Sequence, residues 1–537
     1  FFQLTELLDR SHQAILLSKL SQYNLVIVSI HLSNKSAWED FKIKQEIDVF
    51  LQTLALQNKV VVSIFANPYS LNSFLFTNNF DALSLGYQNS VEAQEKMAQA
   101  IFGGVGFSGK IPVSTNHFDI KTGIRTSPIR MSYVDLLELN INPIMISKID
   151  SIVEDAIEKE AMPGCQVLIA KSGKIFHNQS YGYHTYKKEV KVKNSDVYDL
   201  ASITKIAATL PVLMQMVDDK EISLDDKLDS YLALHDSINK NPLIIREILA
   251  HQSGLQSWIP FYKETLVHDS VSGLVQLRDT LYSKNKSQKY PHHVADSIYL
   301  HFSYTDTIME KIYNSDLLDQ KKYCYSDLGY YMLKQIIESI YKEELNYIVD
   351  SIFYKKLGME NLGYLPIERI NKSRIIPTEE DFEFRGQVLK GYVHDMGAAM
   401  QGGVGGHAGL FSNANDLAKL MQLYLQEGEY AEERYIEKRT LHKFTKCQYP
   451  NNDNRRGAGF DKPALEGQEG GPACEGISYK SFGHSGFTGT LAWADPENEI
   501  VYIFLSNRIH PDASNTKLLD MNVRTDIMQV ILNYMNE

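Results

Sequence analysis

Cysteine is scarce in this sequence, and its scarcity narrows the chemistry open to the chain. Of 537 residues only four are cysteines, Cys165, Cys324, Cys447 and Cys474. They lie far apart, without a C-x-x-C pair and without the ligand spacing of a zinc site. The sequence therefore offers no cysteine-based metal centre, and we predict an activity that needs neither a metal nor a cofactor.

Long apolar runs and basic stripes are also missing. No run of about eighteen apolar residues occurs, so we expect no membrane-spanning segment. The net charge of −12, without a basic stripe, argues against nucleic acid as a partner. The chain begins Phe1-Phe2 without a methionine or a leader pattern, and we expect it to be a fragment or a processed product. Any targeting signal would then have been lost with the missing part.

The length predicts more than one domain, because 537 residues exceed what one hydrophobic core holds. Residues 1–116 alternate strand-like and helix-like segments, which predicts a doubly wound α/β unit. Residues 117–140 lack a clear period and are predicted to be a linker. Residues 141–537 are predicted to form the second domain.

A glycine-rich stretch closes the first unit. Residues 104–110, GVGFSGK, fit the phosphate-loop pattern, but Ile111 stands where a magnesium-binding Ser or Thr is needed and no helical pattern follows. We therefore reject a nucleotide site. Residues 65–68, 100–103 and 108–114 instead resemble the end of the C-terminal α/β domain of family 3 glycoside hydrolases. In that family a catalytic barrel precedes this domain, so the resemblance implies a partial domain that does not cleave sugars by itself.

Strand signals stand at both ends of the second domain. Residues 165–176 contain a hairpin pattern around Ser172-Gly173, and residues 490–505 contain another around the turn 495–498. Helical patterns lie between them, and a last helix is predicted over about residues 518–535. We predict an α+β domain, an antiparallel sheet flanked by helices with a helical subdomain, in which the two end hairpins share one sheet.

An S-x-x-K motif opens a strongly apolar helical pattern over residues 200–217, with a kink expected at Pro211. A helix that starts here puts Ser202 and Lys205 on one face. A desolvated lysine can activate a serine hydroxyl, and the helix N-terminus offers N–H groups to an oxyanion. Taken alone, the motif is weak evidence for catalysis and fits a helix-capping serine with a solvated lysine better.

Two later segments supply companions for this serine. Tyr325 and Asp327 form a Y-x-D motif before an apolar helical run, and a tyrosine near a lysine ammonium has its ionised form favoured. Residues 483–490, GHSGFTGT, lead into the last hairpin, where Gly486 lets the strand edge approach a ligand and the Phe487 N–H can serve as an oxyanion donor. Neither G-x-S-x-G nor H-E-x-x-H occurs, which argues against an α/β-hydrolase and against a metalloprotease.

The order S-x-x-K, Y-x-D, H-x-G resembles the serine β-lactamase and penicillin-binding-protein superfamily, especially its class C and esterase-like branch. The resemblance covers roughly residues 146–537, with further agreement at residues 249–255, 404–412 and 506–511. It implies that Ser202 is acylated and that Lys205 and Tyr325 share the acid and base work. It also implies that the N–H groups of Ser202 and Phe487 form the oxyanion hole. Which of lysine and tyrosine takes the first proton stays open.

The chain departs from the superfamily pattern twice, and both departures concern substrate binding. The third motif usually begins with lysine, but His484 stands here and is mostly neutral near pH 7, so β-lactam-like acids should bind more weakly. Arg508 is a candidate substitute for the missing charge. The second motif often has asparagine where Asp327 stands, and an ionised Asp327 can pair with Lys205, hold it charged and favour tyrosine as base.

Two further features leave alternatives open. His394, Asp395 and His407 suggest zinc ligands, but their spacing matches no standard site and the surrounding glycines favour a loop packed near the site. Residues 259–322, rich in Tyr, His, Ser and Asp, are predicted to be an insertion that forms a lid or cleft wall.

These observations together predict a serine hydrolase that acts on an amide or ester. The glycosidase-like neighbour favours a bacterial cell-wall peptide or a β-lactam-like compound as substrate, and with it a periplasmic or envelope location. The alternative is a catalytically silent module that binds peptidoglycan. The sequence does not decide the oligomeric state or the choice among peptidase, esterase and lactamase.

Overall fold

The chain divides into two compact units, residues 1–133 and 134–537. The computed structural model describes residues 2, 9–33, 41–268 and 275–535. Among these residues, no helix combines the length and the apolar character needed to cross a bilayer. Part of the predicted insertion, residues 269–274, lies outside the described residues.

The first unit contains a parallel sheet of three strands in the order β1-β2-β3. Its elements are α1 Arg10–Leu20, β1 Leu25–His31, α2 Gln45–Ala55, β2 Lys59–Phe65, β3 Ala82–Leu85, α3 Val91–Ile101 and β4 Ser132–Tyr133. Alternate β2 residues, Val60, Val62 and Ile64, are fully buried in one core with Leu51 and Leu54 of α2. Parallel strands joined through helices are those of an α/β unit, whereas the link to family 3 glycoside hydrolases stays a prediction.

The glycine-rich residues 104–110 lie in irregular chain after α3. A phosphate loop requires a strand before it and a helix directly after it. Neither condition is met, so the rejection of a nucleotide site at this stretch agrees with the structure.

The second unit is larger and contains most of the regular structure. Its strands are β5 Gly164–Lys171, β6 Lys174–Gly182, β7 Tyr198–Asp199, β8 Leu266–His268, β9 Val275–Leu277, β10 Tyr282–Ser283, β11 His292–Ala295, β12 Ile298–Leu300, β13 Glu379–Asp381, β14 Gln387–Leu389, β15 Phe411–Ser412, β16 Glu429–Tyr430, β17 Glu433–Arg434, β18 Phe482–Ser485, β19 Leu491–Asp495 and β20 Ile500–Ser506. Its helices are α4 Ile144–Glu158, α5 Leu210–Asp218, α6 Ile245–Leu249, α7 Tyr304–Asn314, α8 Leu328–Tyr341, α9 Leu345–Val349, α10 Lys355–Leu357, α11 Pro366–Arg369, α12 Met396–Met400, α13 Ala414–Leu425, α14 Lys438–Thr445, α15 Lys517–Asp520 and α16 Val523–Met535.

The main sheet of this unit is antiparallel, in the order β18-β19-β20-β5-β6. The first and last hairpins meet where β20 pairs with β5, with Ile503 opposite Leu168. The prediction that two hairpins more than 300 residues apart share one sheet is therefore confirmed.

Helices cover both faces of this sheet. Val167, Trp493 and Tyr502 pack with α4 and α16 on one face. The intervening residues Leu168 and Ile503 are also fully buried, and α13 contacts β5, β19 and β20. Since successive strand residues point to opposite faces, α13 covers the second face, and the sheet is the centre of a helix–sheet–helix sandwich.

The helix after Ser202 begins with a π turn rather than with the kink expected at Pro211. Residues Lys205–Thr209 are π-helical, and α5 continues from Leu210. Pro211 has no N–H to donate to the carbonyl four or five residues earlier. Those two carbonyls, of Ala207 and Ile206, instead accept hydrogen bonds from the hydroxyls of Tyr354 at 2.8 Å and Tyr424 at 2.7 Å. The tyrosines satisfy backbone groups that the proline leaves open.

Candidate active site

Ser202 sits in a turn between β7 and the π turn, on a backbone held in an unusual conformation. Ala201 has φ +47°, which a residue with a side chain seldom adopts. The carboxylate of Asp199 fixes this turn, because it accepts hydrogen bonds from the N–H of Ala201 at 2.8 Å and of His394 at 2.7 Å. Burial raises the pKa of Asp199 to about 6. Ser202 therefore lies in a turn just before the helix, whereas the sequence pattern placed it within the helix.

The predicted trio of serine, lysine and tyrosine comes together around one oxygen. Ser202 Oγ lies 3.0 Å from Lys205 Nζ and 2.9 Å from the hydroxyl of Tyr325, and it accepts a hydrogen bond from each. Tyr325 is 123 residues away in the sequence. The separate motifs therefore form one constellation.

Lys205 is fully buried and fully paired. Its Nζ lies 2.6 Å from Asp327 Oδ1 and donates to the backbone carbonyl of His407 at 3.3 Å. Burial lowers the pKa of Lys205, but Asp327 and Tyr325 outweigh burial and leave the pKa above its usual value. Lys205 is therefore protonated in the resting site, as the sequence predicted from Asp327.

Tyr325 is held against Lys205 and His251. Lys205 Nζ lies 5.0 Å from the centre of the Tyr325 ring, and the His251 ring lies 4.4 Å away. Lys205 favours the ionised tyrosine, as predicted, but burial acts in the opposite direction. Burial raises the pKa of Tyr325 by more than Lys205 lowers it, so the phenol is neutral.

His484 is buried behind Tyr325 and does not reach the cleft. Its Nδ1 hydrogen bonds to the carbonyl of Ser485 at 2.7 Å, and its Nε2 accepts from Arg456 at 3.2 Å. Burial, together with the positive charges of Arg456 and Lys205, lowers the pKa of His484 to about 3. The imidazole is neutral, in agreement with the prediction for the third motif.

Arg456 is a residue that the sequence analysis missed. It is only 4% exposed, forms an ion pair with Asp461 at 3.3 Å and lies 5.4 Å from the centre of the Tyr325 ring. This guanidinium places a fixed positive charge behind the tyrosine. No pattern around residues 454–457 (NRRG) indicated such a position.

Phe487 offers the site a backbone N–H group, and Gly486 allows close packing because it has no side chain. In the described part of the chain, the N–H groups of Ser202 and Phe487 have no hydrogen-bond acceptor. Gly486 packs against the Leu200 carbonyl, which a Cβ would approach to 2.5 Å. The close approach predicted for Gly486 is therefore toward this backbone. The Phe487 ring is half exposed and stacks on His394 at 5.1 Å.

A cleft of about 800 Å³ opens above Ser202. Phe487, Ile259 and Tyr262 contribute to its lining, so part of the predicted insertion is a cleft wall. Arg508 does not line the cleft, because its guanidinium lies 4.8 Å from the centre of the Phe487 ring and donates to the carbonyl of Asn515.

Residues 149–522 match the family described as Beta-lactamase. The chain belongs to the β-lactamase family. It is 28% identical over 392 residues to the N-acetylmuramyl-L-alanine amidase of Bacillus subtilis, a match that covers 68% of this chain and 81% of the relative. It is 29% identical over 402 residues to a Salmonella typhimurium protein with the provisional name D-alanyl-D-alanine carboxypeptidase, covering 70% of this chain and 85% of the relative.

Solved structures of this fold agree with the assignment. The hydrolase EstCE1 superimposes with a TM-score of 0.51 at 17% identity, covering 72% of this chain and 98% of that one. A penicillin-binding protein homologue from Pyrococcus abyssi gives a TM-score of 0.51 at 19% identity, covering 72% and 77%. The predicted β-lactamase/transpeptidase-like fold is confirmed, and this β-lactamase-family chain is a serine hydrolase.

The histidines that suggested a zinc site have other partners in this β-lactamase-family protein. His407 Nε2 lies 2.7 Å from Asp395, and His394 Nδ1 lies 2.6 Å from Glu379. Within the described ranges, no three His, Cys, Asp or Glu side chains are arranged to hold a metal ion. Burial lowers the pKa of His394, but Glu379 outweighs burial and raises it above the usual value.

Proposed function

We propose that the protein hydrolyses an amide or ester of a bacterial cell-wall peptide through an acyl-enzyme on Ser202. One observation carries the proposal: Ser202 Oγ lies within hydrogen-bond distance of both Lys205 and Tyr325 at the floor of an open cleft. A nucleophile in contact with its acid and base is the arrangement that covalent catalysis needs.

At rest Lys205 is protonated and Tyr325 is neutral, and Asp327, 2.6 Å from Nζ, holds the proton on the lysine. The reaction therefore starts from the fraction of molecules in which Lys205 has released this proton to water. The neutral amine then accepts the proton of Ser202 as Oγ bonds to the carbonyl carbon. The carbonyl electron pair moves onto oxygen, which faces the N–H groups of Ser202 and Phe487.

The leaving group and the water then pass their protons through Tyr325. As the tetrahedral intermediate collapses, Tyr325 protonates the departing nitrogen or oxygen and becomes a phenolate beside protonated Lys205. A water molecule then returns a proton to this phenolate and adds its oxygen to the acyl carbon. Ser202 leaves with a proton from Lys205, which restores both the serine hydroxyl and the neutral amine.

The named activities of the relatives support the substrate class. The Bacillus subtilis and Salmonella typhimurium relatives carry names that describe amide cleavage in cell-wall material. A location in the cell envelope follows from the same substrates. The alternative of a silent binding module has no observation in its favour, because the nucleophile, the lysine and the tyrosine are present and in contact.

Labelling with a fluorescent fluorophosphonate, followed by peptide mapping, tests the nucleophile. We expect a label on Ser202, loss of the label in Ser202→Ala, and full labelling of Ser237→Ala, whose serine is exposed elsewhere. Equal labelling of wild type and Ser202→Ala overturns the proposal. Turnover of muramyl-L-alanine amides, D-Ala-D-Ala peptides, nitrocefin and p-nitrophenyl esters then ranks the substrates, and inertness toward all of them counts against hydrolysis.

A further inference from the structure

The cleft above Ser202 is lined with carboxylates and lacks strong cations. The carboxylates that line it are those of Asp327, Glu379, Glu380, Asp381, Glu383, Asp395 and Asp512. No lysine or arginine is among the described residues of this lining. A cleft walled by one sign of charge concentrates ligands of the opposite sign.

Four of these carboxylates have partners inside the protein. Asp327 pairs with Lys205, and Asp395 pairs with His407. On β13, Glu379 pairs with His394 at 2.6 Å, and Asp381 pairs with the buried Arg385 at 2.5 Å. These four carboxylates are therefore already paired with side chains of the protein.

The other three carboxylates have no ion-pair partner among the described residues. Glu380 is half-buried, and Glu383 and Asp512 are exposed. The Glu380 N–H donates to the carbonyl of Pro511 at 2.8 Å, which holds β13 beside the loop that carries Asp512. Glu383 accepts only a neutral hydrogen bond, from the hydroxyl of Tyr262 at 2.5 Å. We call Glu380, Glu383 and Asp512 the open carboxylates.

Exposed aromatic rings line the same cleft. Trp258 is 57% exposed and Phe382 is 71% exposed, although large rings are usually covered in folded proteins. A tryptophan face also attracts cations. Exposed aromatics beside unpaired carboxylates therefore point independently to a ligand that is cationic and partly apolar.

The groups that would bind a substrate carboxylate stay away from the cleft. His484 is buried and neutral, and Arg508 lies under the Phe487 ring. Arg456 is behind Tyr325 and is paired with Asp461. The described lining therefore offers an anion no lysine or arginine, whereas it offers a cation three unpaired carboxylates.

We infer that this site selects substrates carrying a free ammonium group, namely amides or esters of amino acids or peptides with an unblocked amine. The inference rests on the proposed function and names its substrate class. Substrates recognised through a free carboxylate are poorer for the same reason, since the open carboxylates repel them.

A series of related substrates that differ in charge tests this selection. Alanine p-nitroanilide and Nα-acetyl-lysine p-nitroanilide carry the ammonium at two distances, their acetylated forms are neutral, and succinyl-alanine p-nitroanilide is anionic. Unmodified p-nitrophenyl esters report hydrolysis without any charge. We expect kcat/KM in the order cationic, neutral, anionic, with a cationic advantage of about 10-fold or more that shrinks as salt rises.

Variants of the open carboxylates connect the selection to its residues. We expect Glu380→Gln with Asp512→Asn to reduce the ratio of cationic to neutral kcat/KM by about 10-fold, and Glu380→Lys to increase kcat/KM for the anionic substrate. Glu189→Gln, an exposed carboxylate elsewhere, is the matched control and leaves the ratio unchanged. A gain of activity in the lysine variant also shows that the fold is intact.

The possible outcomes distinguish failure of this inference from failure of the proposed function. Hydrolysis of the simple esters without a cationic advantage, or with an advantage that the variants leave unchanged, overturns the inference while the proposed function stands. Failure of wild type on every substrate, together with unlabelled Ser202, overturns both.

Discussion

The two sides of the cleft, the reaction centre and the open carboxylates, differ in whether their charged side chains are paired. At the reaction centre, the ammonium of Lys205 is buried against Asp327, and behind it the guanidinium of Arg456 is buried against Asp461. Elsewhere in the cleft lining, Glu380, Glu383 and Asp512 have no ion-pair partner in the described structure. Buried pairs hold geometry, because breaking one leaves an uncompensated charge. Exposed unpaired charges contribute little to stability, and they remain available to a ligand.

The largest expected contrast between the two sides comes from Lys205→Met and Glu380→Gln. Without Lys205, Ser202 loses its proton acceptor, so kcat/KM should fall by about 10³-fold or more for every substrate. Without the Glu380 charge, only cationic substrates should suffer. Steady-state kinetics on the charge-matched anilides measure both effects, with the exposed Lys356→Met as control. A loss of equal size for all substrates in both variants would erase the contrast.

The free energy of unfolding should also respond differently to a change in a buried ion pair and to a change in an open carboxylate. Arg456→Met leaves the buried Asp461 with Arg455 as its remaining ion-pair partner, so we expect a loss of about 3 kcal/mol in the free energy of unfolding. Glu380→Gln should change it by less than about 0.5 kcal/mol. Urea unfolding followed by circular dichroism measures both values, and similar losses would show that the open carboxylates are structural.

The pH dependence of the reaction centre gives the next largest effect. Asp327 raises the pKa of Lys205, so Asp327→Asn should lower that pKa and make the neutral amine available at lower pH. We expect the ascending limb of kcat against pH to move down by about one unit or more. A profile recorded between pH 5 and 10 tests this shift. An unmoved limb would mean that Lys205 does not supply the base.

The smallest expected effect concerns His394, which lines the cleft and pairs with Glu379. Glu379 raises the pKa of His394 above the ordinary value of 6.5, so this pair stabilises the fold below that pH and the benefit is lost as pH rises through the raised pKa. Glu379→Gln should therefore cost about 1 kcal/mol more at pH 5.5 than at pH 9. Unfolding curves at the two pH values measure the difference, and an equal cost at both would contradict the pairing.

The sequence predicted those features that depend on short patterns. Ser202, Lys205 and Tyr325 stand in local motifs, and each end hairpin has its own alternation and turn, so both the trio and the shared sheet could be inferred. Phe487 was placed correctly at the cleft by its glycine-rich segment.

Features that depend on tertiary contacts were not predictable. Arg456 matters because folding packs it against Tyr325 and Asp461, and nothing in its neighbouring residues encodes that contact. The run 379–383 is visibly acidic, but only the pairing of β13 with β14 and its contact with Pro511 bring it to the cleft. The net pKa shift of Tyr325 was not predictable, because burial, which a sequence does not report, exceeds the effect of the nearby Lys205 charge.

The π turn over Lys205–Thr209 also determines how this protein tolerates changes of length. A π turn contains one more residue than an α-helical turn, and each α-helical residue rotates the chain by about 100°. Deleting Ala208 would convert the π turn into an ordinary α-helical turn. It would also rotate Ser202 about the helix axis relative to α5. The length of this buried segment therefore matters to the position of Ser202 as much as the identity of its side chains does.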